Sequence, residues 1–426
     1  MTLTALTLDP PDRAVKPLPV AIIGAGPIGL AAAAHLNERG ADFIVLERGA
    51  TIAASVRAWA HIRLFSAWGE LIDAAARRLL ESEGWTAPDA TAAPLASELI
   101  DEYLVPLAAV PALASRVRTG TEVAAVSRRG MDRTRSAHRE STPFVVRFSD
   151  GIGGGELLAS AVIDASGTFT NPNTLTSNGL PLLGPAAAVH SAVPDVRGAE
   201  RSRFENARTV VVGAGHSAAN TLLALSELRG STRVTWLLRN RSAVRVSASG
   251  GDELPGRASL GAQVESLVAS GRIDVIDSFA IERLEPSERG VDIVGLRNGI
   301  LERVNADHVV NATGFRPQLD MLREIRLDLD PVVEAPRLLA PLIDPNVHSC
   351  GTVEPHGFAE LRHPEYGFFI AGMKSYGRAP TFLLATGYEQ VRSIVAWLDN
   401  DPVSADAVHL KLPATGVCAT DSGCCS

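Results

Sequence analysis

The chain has 426 residues, 46% of them hydrophobic, with 40 basic against 48 acidic side chains and a net charge of −8. That length exceeds one small core and predicts two or more domains. A net negative charge without a basic stripe interleaved with aromatics argues against a nucleic-acid partner, and 4 cysteines in so long a chain do not make a disulfide scaffold.

Residues 1 to 17 read as a flexible N-terminus. Residues 17 to 37 carry no formal charge and follow Arg13 and Lys16, the outline of a membrane span or signal peptide. Asp9 and Asp12 spoil a basic leader, however, and the stretch contains a glycine turn and ends in a polar helix. It therefore reads as a buried strand and a helix in a cytoplasmic protein with no membrane partner. The apolar run Val20 to Ile23 breaks into Gly24-Ala25-Gly26-Pro27-Ile28-Gly29, and an alanine-rich helical stretch follows, ended by Gly40. In G-x-G-x-x-G the first glycine permits a tight turn, the second admits a pyrophosphate to the backbone, and the third lets helix pack on strand. The diphosphate then lies at a helix N-terminus, where unpaired amides favour an anion. The next strand, Asp42 to Leu46, ends at Glu47, about 20 residues past the turn, where a carboxylate accepts hydrogen bonds from an adenosine ribose. Arg48 beside it is a further cofactor candidate. The stretch from Gly130 to Thr142 is charged and poor in apolar residues, so it reads as an exposed hairpin loop, with a second turn at Gly151 to Gly155.

The device recurs. Thr209 to Val212 leads into Gly213-Ala214-Gly215-His216-Ser217-Ala218 and a helical stretch ended by Gly230. The strand after it, Arg233 to Leu238, ends in Arg239-Asn240-Arg241, with no acid in the place of Glu47. Guanidinium groups there would bind a 2′-phosphate bidentately, or serve as ordinary surface charges. Two dinucleotide sites in one chain imply two cofactors exchanging electrons: FAD at the first turn, NADPH at the second, seated by Ser217, Asn220, Arg239 and Arg241.

The two turns, with Asn311-Ala312-Thr313-Gly314-Phe315-Arg316-Pro317, resemble the two-dinucleotide-binding-domain flavoproteins, which include flavin-containing monooxygenases and thioredoxin-reductase-like enzymes. Ala161 to Gly167 is similar to the family's strand returning to the FAD domain, and Gly367 to Gly372 to its last strand, before a helix beginning near Pro380-Thr381-Phe382. The resemblance implies cofactor contacts from Gly167, Thr313, Gly314, Gly372, Thr381 and Phe382, the helix start facing the flavin pyrimidine edge. It also places Val56 to Trp68 where related enzymes wrap the isoalloxazine, so that Arg63 and Ser66 become candidates for cofactor or substrate contact while the tryptophans pack. Lys374 falls where the chain passes the ribityl group, to hold an anionic cofactor group or to stand in solvent. The monooxygenase linker motif is altered: Gly184 and His190 are six residues apart rather than four, and no aromatic follows at the expected place. The usual C-x-x-C of thioredoxin reductases is missing between the two turns. A nearer resemblance is to flavoproteins of bacterial arsenic-resistance operons described as flavin monooxygenases, carried by Val212 to Ala218, Leu342 to Gly351, Met373 to Pro380 and the cysteine-bearing tail.

Two polar clusters remain. His348, Cys350, His356, His363 and Tyr366 occupy a Gly- and Pro-containing stretch, where His356 is the candidate acid or base over the flavin, or one more loop histidine. The spacings fit no usual zinc pattern, so no metal is expected. Cys418, Cys424 and Cys425 crowd the C-terminus, where thiols could bind a soft metalloid, shuttle electrons with Cys424 and Cys425 as catalytic residues, or do nothing.

The expected fold is α/β, with two Rossmann-like dinucleotide-binding domains and the NADPH domain inserted in a discontinuous FAD domain. FAD would take residues 18 to 198 and 318 to 405, NADPH residues 199 to 317, and the tail residues 406 to 426. The expected activity is an FAD-dependent NADPH oxidoreductase, monooxygenase-like, on a small soft substrate with a link to arsenic resistance. The alternatives are an NADPH-dependent reductase of a disulfide or arsenical using the tail thiols, and a non-enzymatic metalloid-binding or sensor flavoprotein. The partner is a small-molecule substrate, and the sequence leaves the oligomeric state open, a homodimer included.

Overall fold

Parallel strands covered by helices on both faces are largely apolar, and runs of this kind, such as Val20–Ile23 and Phe43–Leu46, anchor the fold. The computed structural model describes residues 17–241, 243, 255–344, 355–380 and 382–410. From the N-terminal side, β1 (Val20–Ile23), helix α1 (Pro27–Glu38) and β2 (Phe43–Leu46) form the first β-α-β unit, and all eight strand residues are buried. After the short β3 (Val117–Arg118), an antiparallel meander of β4 (Glu122–Arg128), β5 (Phe144–Ser149) and β6 (Gly154–Ala159) precedes β7 (Ala161–Asp164).

The second unit comprises β8 (Val189–His190), β9 (Arg208–Val212), α2 (His216–Ser226), β10 (Arg233–Leu237), α3 (Pro255–Ala269) and β11 (Asp274–Ile276). A second meander follows, β12 (Phe279–Pro286), β13 (Val291–Arg297) and β14 (Ile300–Ala306), and then β15 (His308–Asn311). The chain finally returns to the first sheet with β16 (Phe368–Ile370) and α4 (Leu384–Leu398).

The sheets confirm an α/β fold with one nucleotide-binding unit inserted in the other. The first has the order β16-β7-β1-β2-β3 and the second β11-β10-β9-β15-β8, so every strand of the second lies in sequence between β7 and β16. All pairings in both are parallel. The second sheet already begins at Val189–His190, ahead of residue 199. Helix α1 lies between the first sheet and α4, buried from Ile28 to Leu36. The loop between β4 and β5 is exposed from Asp132 to His138, whereas Arg139 turns inward to share Glu365 with Arg128. Among the described residues no helix is long and apolar enough to cross a membrane.

Candidate functional site

The first glycine turn is fixed by what surrounds it. Gly24 has φ +99°, and a Cβ there would lie 2.8 Å from the Ala165 carbonyl oxygen. A Cβ on Gly29 would lie 1.9 Å from the Gly24 oxygen. Around Gly26, by contrast, nothing stands within 4 Å of that position. Helix α1 has Gly26 as N-cap and no side-chain cap, with Pro27 opening it, so its first amides are left for a ligand. Glu47 ties the end of β2 to the turn: Oε2 accepts from the Ala25 amide at 2.8 Å and Oε1 from the Gly49 amide at 2.7 Å. Arg48 is exposed and 3.6 Å from Glu122.

The second turn repeats this construction. Gly213 has φ +133°, and a Cβ there would lie 2.1 Å from the Ala312 oxygen, while Gly215 again has open space. Helix α2 starts at His216 with Gly215 as an N-cap lacking a side-chain bond. Ser217 and Ala218 occupy its first turn, and Asn220 donates back to the His216 carbonyl at 3.1 Å. Trp236 donates to the Gly213 carbonyl at 2.7 Å. Arg239 and Arg241 are exposed beyond the end of β10.

Each turn is backed by the loop after a neighbouring strand, and those loops are also copies. Asp164 Oδ1 accepts from the Ser166 amide and hydroxyl at 3.1 and 2.6 Å. Asn311 Oδ1 accepts from the Thr313 amide and hydroxyl at 3.3 and 2.6 Å. Gly167 and Gly314 then take φ +70° and +96°. Aligning D-A-S-G with N-A-T-G, each at the end of an apolar strand, was the available sequence signal for this pair. The loops also join the units: the Asn173 amide donates to the Gly314 carbonyl at 2.9 Å, and the rings of Phe169 and Phe315 lie 5.0 Å apart.

The remaining candidates divide by location. Ser66 is buried and lines a cavity of about 310 Å³ with His35, Asp73, Leu383 and Tyr388. Its neighbour Phe65 crosses to the other unit, its ring 5.4 Å from that of His216. Arg63 instead is exposed and donates to the Ala93 carbonyl at 2.5 Å. Phe382 packs edge-on against Tyr376 at 5.2 Å, just before the uncapped start of α4. Gly372, φ +72°, abuts Ile28 of α1. Lys374 is not solvated: it is 2% exposed, with Nζ 2.6 Å from Asp164 Oδ2. His356 is likewise buried, its Nε2 2.9 Å from the Gln390 amide nitrogen, and Gln390 Oε1 accepts from the Gly372 amide at 2.8 Å. His363 is buried too, and desolvation pushes its pKa down to about 4. Thr381, Cys350, Cys418, Cys424 and Cys425 lie outside the described residues. Among the described residues no group of three or more His, Cys, Asp or Glu side chains is placed to hold a metal ion.

The model of the family described as pyridine nucleotide-disulphide oxidoreductase matches residues 21–338. No curated protein matches significantly. Among solved structures, the bacillithiol disulfide reductase Bdr (YpdA) of Bacillus cereus is similar at 20% identity and a TM-score of 0.63, covering 90% of this chain and 99% of that one. DfoA of Erwinia amylovora, a cadaverine monooxygenase bound to FAD, is similar at 13% identity and 0.60, covering 93% and 98%. T. acidophilum thioredoxin reductase is similar at 15% and 0.54, covering 90% and 98%. At these identities the likeness establishes the fold. Both turns fit a dinucleotide: each has an uncapped helix start and a second glycine with open space above it.

Proposed function

We propose that this chain, which belongs to the pyridine nucleotide-disulphide oxidoreductase family and takes FAD and NAD(P)H as cofactors, is an NADPH-dependent, monooxygenase-like oxidoreductase acting on a small soft substrate. The observation that carries the reading is a duplicated dinucleotide turn in a chain with no cysteine in residues 1–349. A dithiol therefore cannot be supplied from either glycine turn or from the sequence between them, and oxygen becomes the preferred electron acceptor. When bound, FAD accepts a hydride from the nicotinamide and passes the electrons on.

The residues of this chain do the rest. FAD is assigned to the unit built on β1 to β7 and β16, NADPH to the unit built on β8 to β15. Gly24, Gly26, Pro27 and Gly29 present α1 to the FAD diphosphate, and Glu47 holds the turn while facing the adenosine ribose. Gly213, Gly215, His216, Ser217, Ala218 and Asn220 do the same for NADPH, with Arg239 and Arg241 meeting its 2′-phosphate. Ser66, Phe382 and the start of α4 form the wall where the flavin ring would lie, and the amides of α4 favour negative charge on it. His356, its Nε2 taken by Gln390, positions the Gly372 turn in this reading and does not act as an acid or base. In the net reaction NADPH gives two electrons, one oxygen atom of O₂ enters the substrate, and the other leaves as water with a solvent proton.

The family's disulfide chemistry and the tail thiols favour a second reading, in which Cys424 and Cys425 pass the two electrons to a disulfide or arsenical. Oxygen consumption separates the two readings. The first expects oxygen uptake equal to NADPH oxidised, stimulated by a soft nucleophile such as arsenite and unchanged in Cys424→Ser/Cys425→Ser. Turnover without oxygen, lost in that variant, would replace it with the second.

A further inference from the structure

We propose that Lys374 is a positioning residue of the first dinucleotide site, its ammonium held by Asp164 and Ser166 so as to donate to the anionic phosphoribityl segment of the flavin. The inference rests on the FAD reading of the first turn.

The two sites match in backbone and register. Asp164 stands opposite Ile23, the residue before Gly24, and Asn311 stands opposite Val212, the residue before Gly213. Both side chains close the same turn, with the same 2.6 Å bond from a hydroxyl two residues on. They differ at the remaining polar atom. Asn311 Nδ2 donates to the Asn173 carbonyl at 2.9 Å, whereas Asp164 Oδ2 faces Lys374 Nζ at 2.6 Å. An amide therefore closes this turn without help from a lysine. The side chains of Lys374 and Asp164 are 1% and 0% exposed, and removing two charges from water costs more than a neutral pair in the same place. Turn closure alone does not account for the ion pair.

Placement and valence point to a ligand. Ile370 is opposite Asp164, so Lys374 lies just past the carboxyl ends of β7 and β16, the edge where parallel sheets bind ligands. The Cα of Ser166 is 3.0 Å from the place of a Gly24 Cβ, and Ile28 in the first turn of α1 is 3.0 Å from that of Gly372. The ammonium thus sits beside the diphosphate turn. Of its three N–H groups, one meets Asp164 and one meets the Ser166 hydroxyl at 3.1 Å, and no third hydrogen bond is made among the described residues. Gln390 holds the supporting turn by accepting from Gly372 and donating to Ser375 at 2.9 Å.

The double substitution Asp164→Asn/Lys374→Met gives the first site the neutral chemistry of the second. Stripped of flavin, it should melt within a few degrees of the wild-type apoprotein and bind NADPH equally well. Its Kd for FAD, from quenching of flavin fluorescence, should rise about tenfold or more, the factor one charge-assisted hydrogen bond carries. Should that variant not fold, Lys374→Gln, which keeps an N–H toward Asp164 without the charge, should show the same loss. Wild-type FAD affinity in either folded variant overturns the inference, whatever its melting temperature, and makes the lysine a strut. A wild-type protein that binds NADPH but no FAD overturns the cofactor reading beneath it instead.

Discussion

Replacing Gly24 and Gly26 separately by alanine should divide folding from binding, because the two positions differ in what a methyl group meets. At Gly24 the backbone has φ +99° and the new Cβ would stand 2.8 Å from the Ala165 oxygen and 3.0 Å from the Ser166 Cα. The dihedral costs about 1–2 kcal/mol and forcing the contact about 1–3 kcal/mol more, a total of about 2–5 kcal/mol. At Gly26 the backbone has φ −83°, which any residue adopts, and nothing lies within 4 Å. Gly26→Ala should therefore leave the apoprotein within about 1 kcal/mol of wild type. It would nevertheless put a methyl group where a diphosphate must approach the α1 amides, and losing one or two charge-assisted bonds weakens FAD by about ten- to a hundredfold. Thermal melting of the apoproteins and fluorescence titration with FAD measure the two effects. A Gly26→Ala protein that binds FAD like wild type would refute the reasoning, as would a Gly24→Ala apoprotein of unchanged stability.

Arg239→Ala/Arg241→Ala should raise the KM for NADPH at least tenfold while changing that for NADH little, since the guanidiniums would lose only the 2′-phosphate; equal effects on both would remove that role. Glu365→Ala leaves the buried guanidiniums of Arg128 and Arg139 without their shared carboxylate, and should cost about 3–5 kcal/mol, read as a lower melting temperature. His363, lowered from 6.5 to about 4 by burial, resists protonation in the fold but not in the unfolded chain. Its contribution is thus complete above pH 6.5 and lost as pH falls toward 4, about 3 kcal/mol in all. His363→Gln should flatten the decline in melting temperature across that window, and an unchanged slope would contradict the assignment.

What the sequence disclosed was local. A glycine turn needs about ten contiguous residues, so both nucleotide folds, their parallel sheets and the insertion of one unit in the other were legible, as was the burial of β1 and β2. The Asp164–Lys374 pair joins residues 210 apart and Arg128–Glu365 joins residues 237 apart, and no pattern in a single sequence marks such partners. Lys374 therefore read as equally suited to solvent, and Arg139 as one charge in an exposed loop, although its neighbours from Asp132 to His138 are indeed exposed. His356 followed the same course: a histidine between glycine and proline looks like a loop residue until Gln390 arrives from α4. The match between Asp164 and Asn311 was written in the sequence, but the two intervals from glycine turn to Asx turn differ, 140 residues from Gly24 and 98 from Gly213, and hide it from a search for a fixed repeat.

In the proposed reaction, reducing equivalents pass from NADPH at the second turn to FAD at the first. Mixing the FAD-loaded protein anaerobically with NADPH or NADH, and following the flavin absorbance band in a stopped-flow instrument, tests it most directly. Bleaching is expected with both nucleotides, faster and at lower concentration with NADPH. An oxidised flavin that persists with both would contradict it.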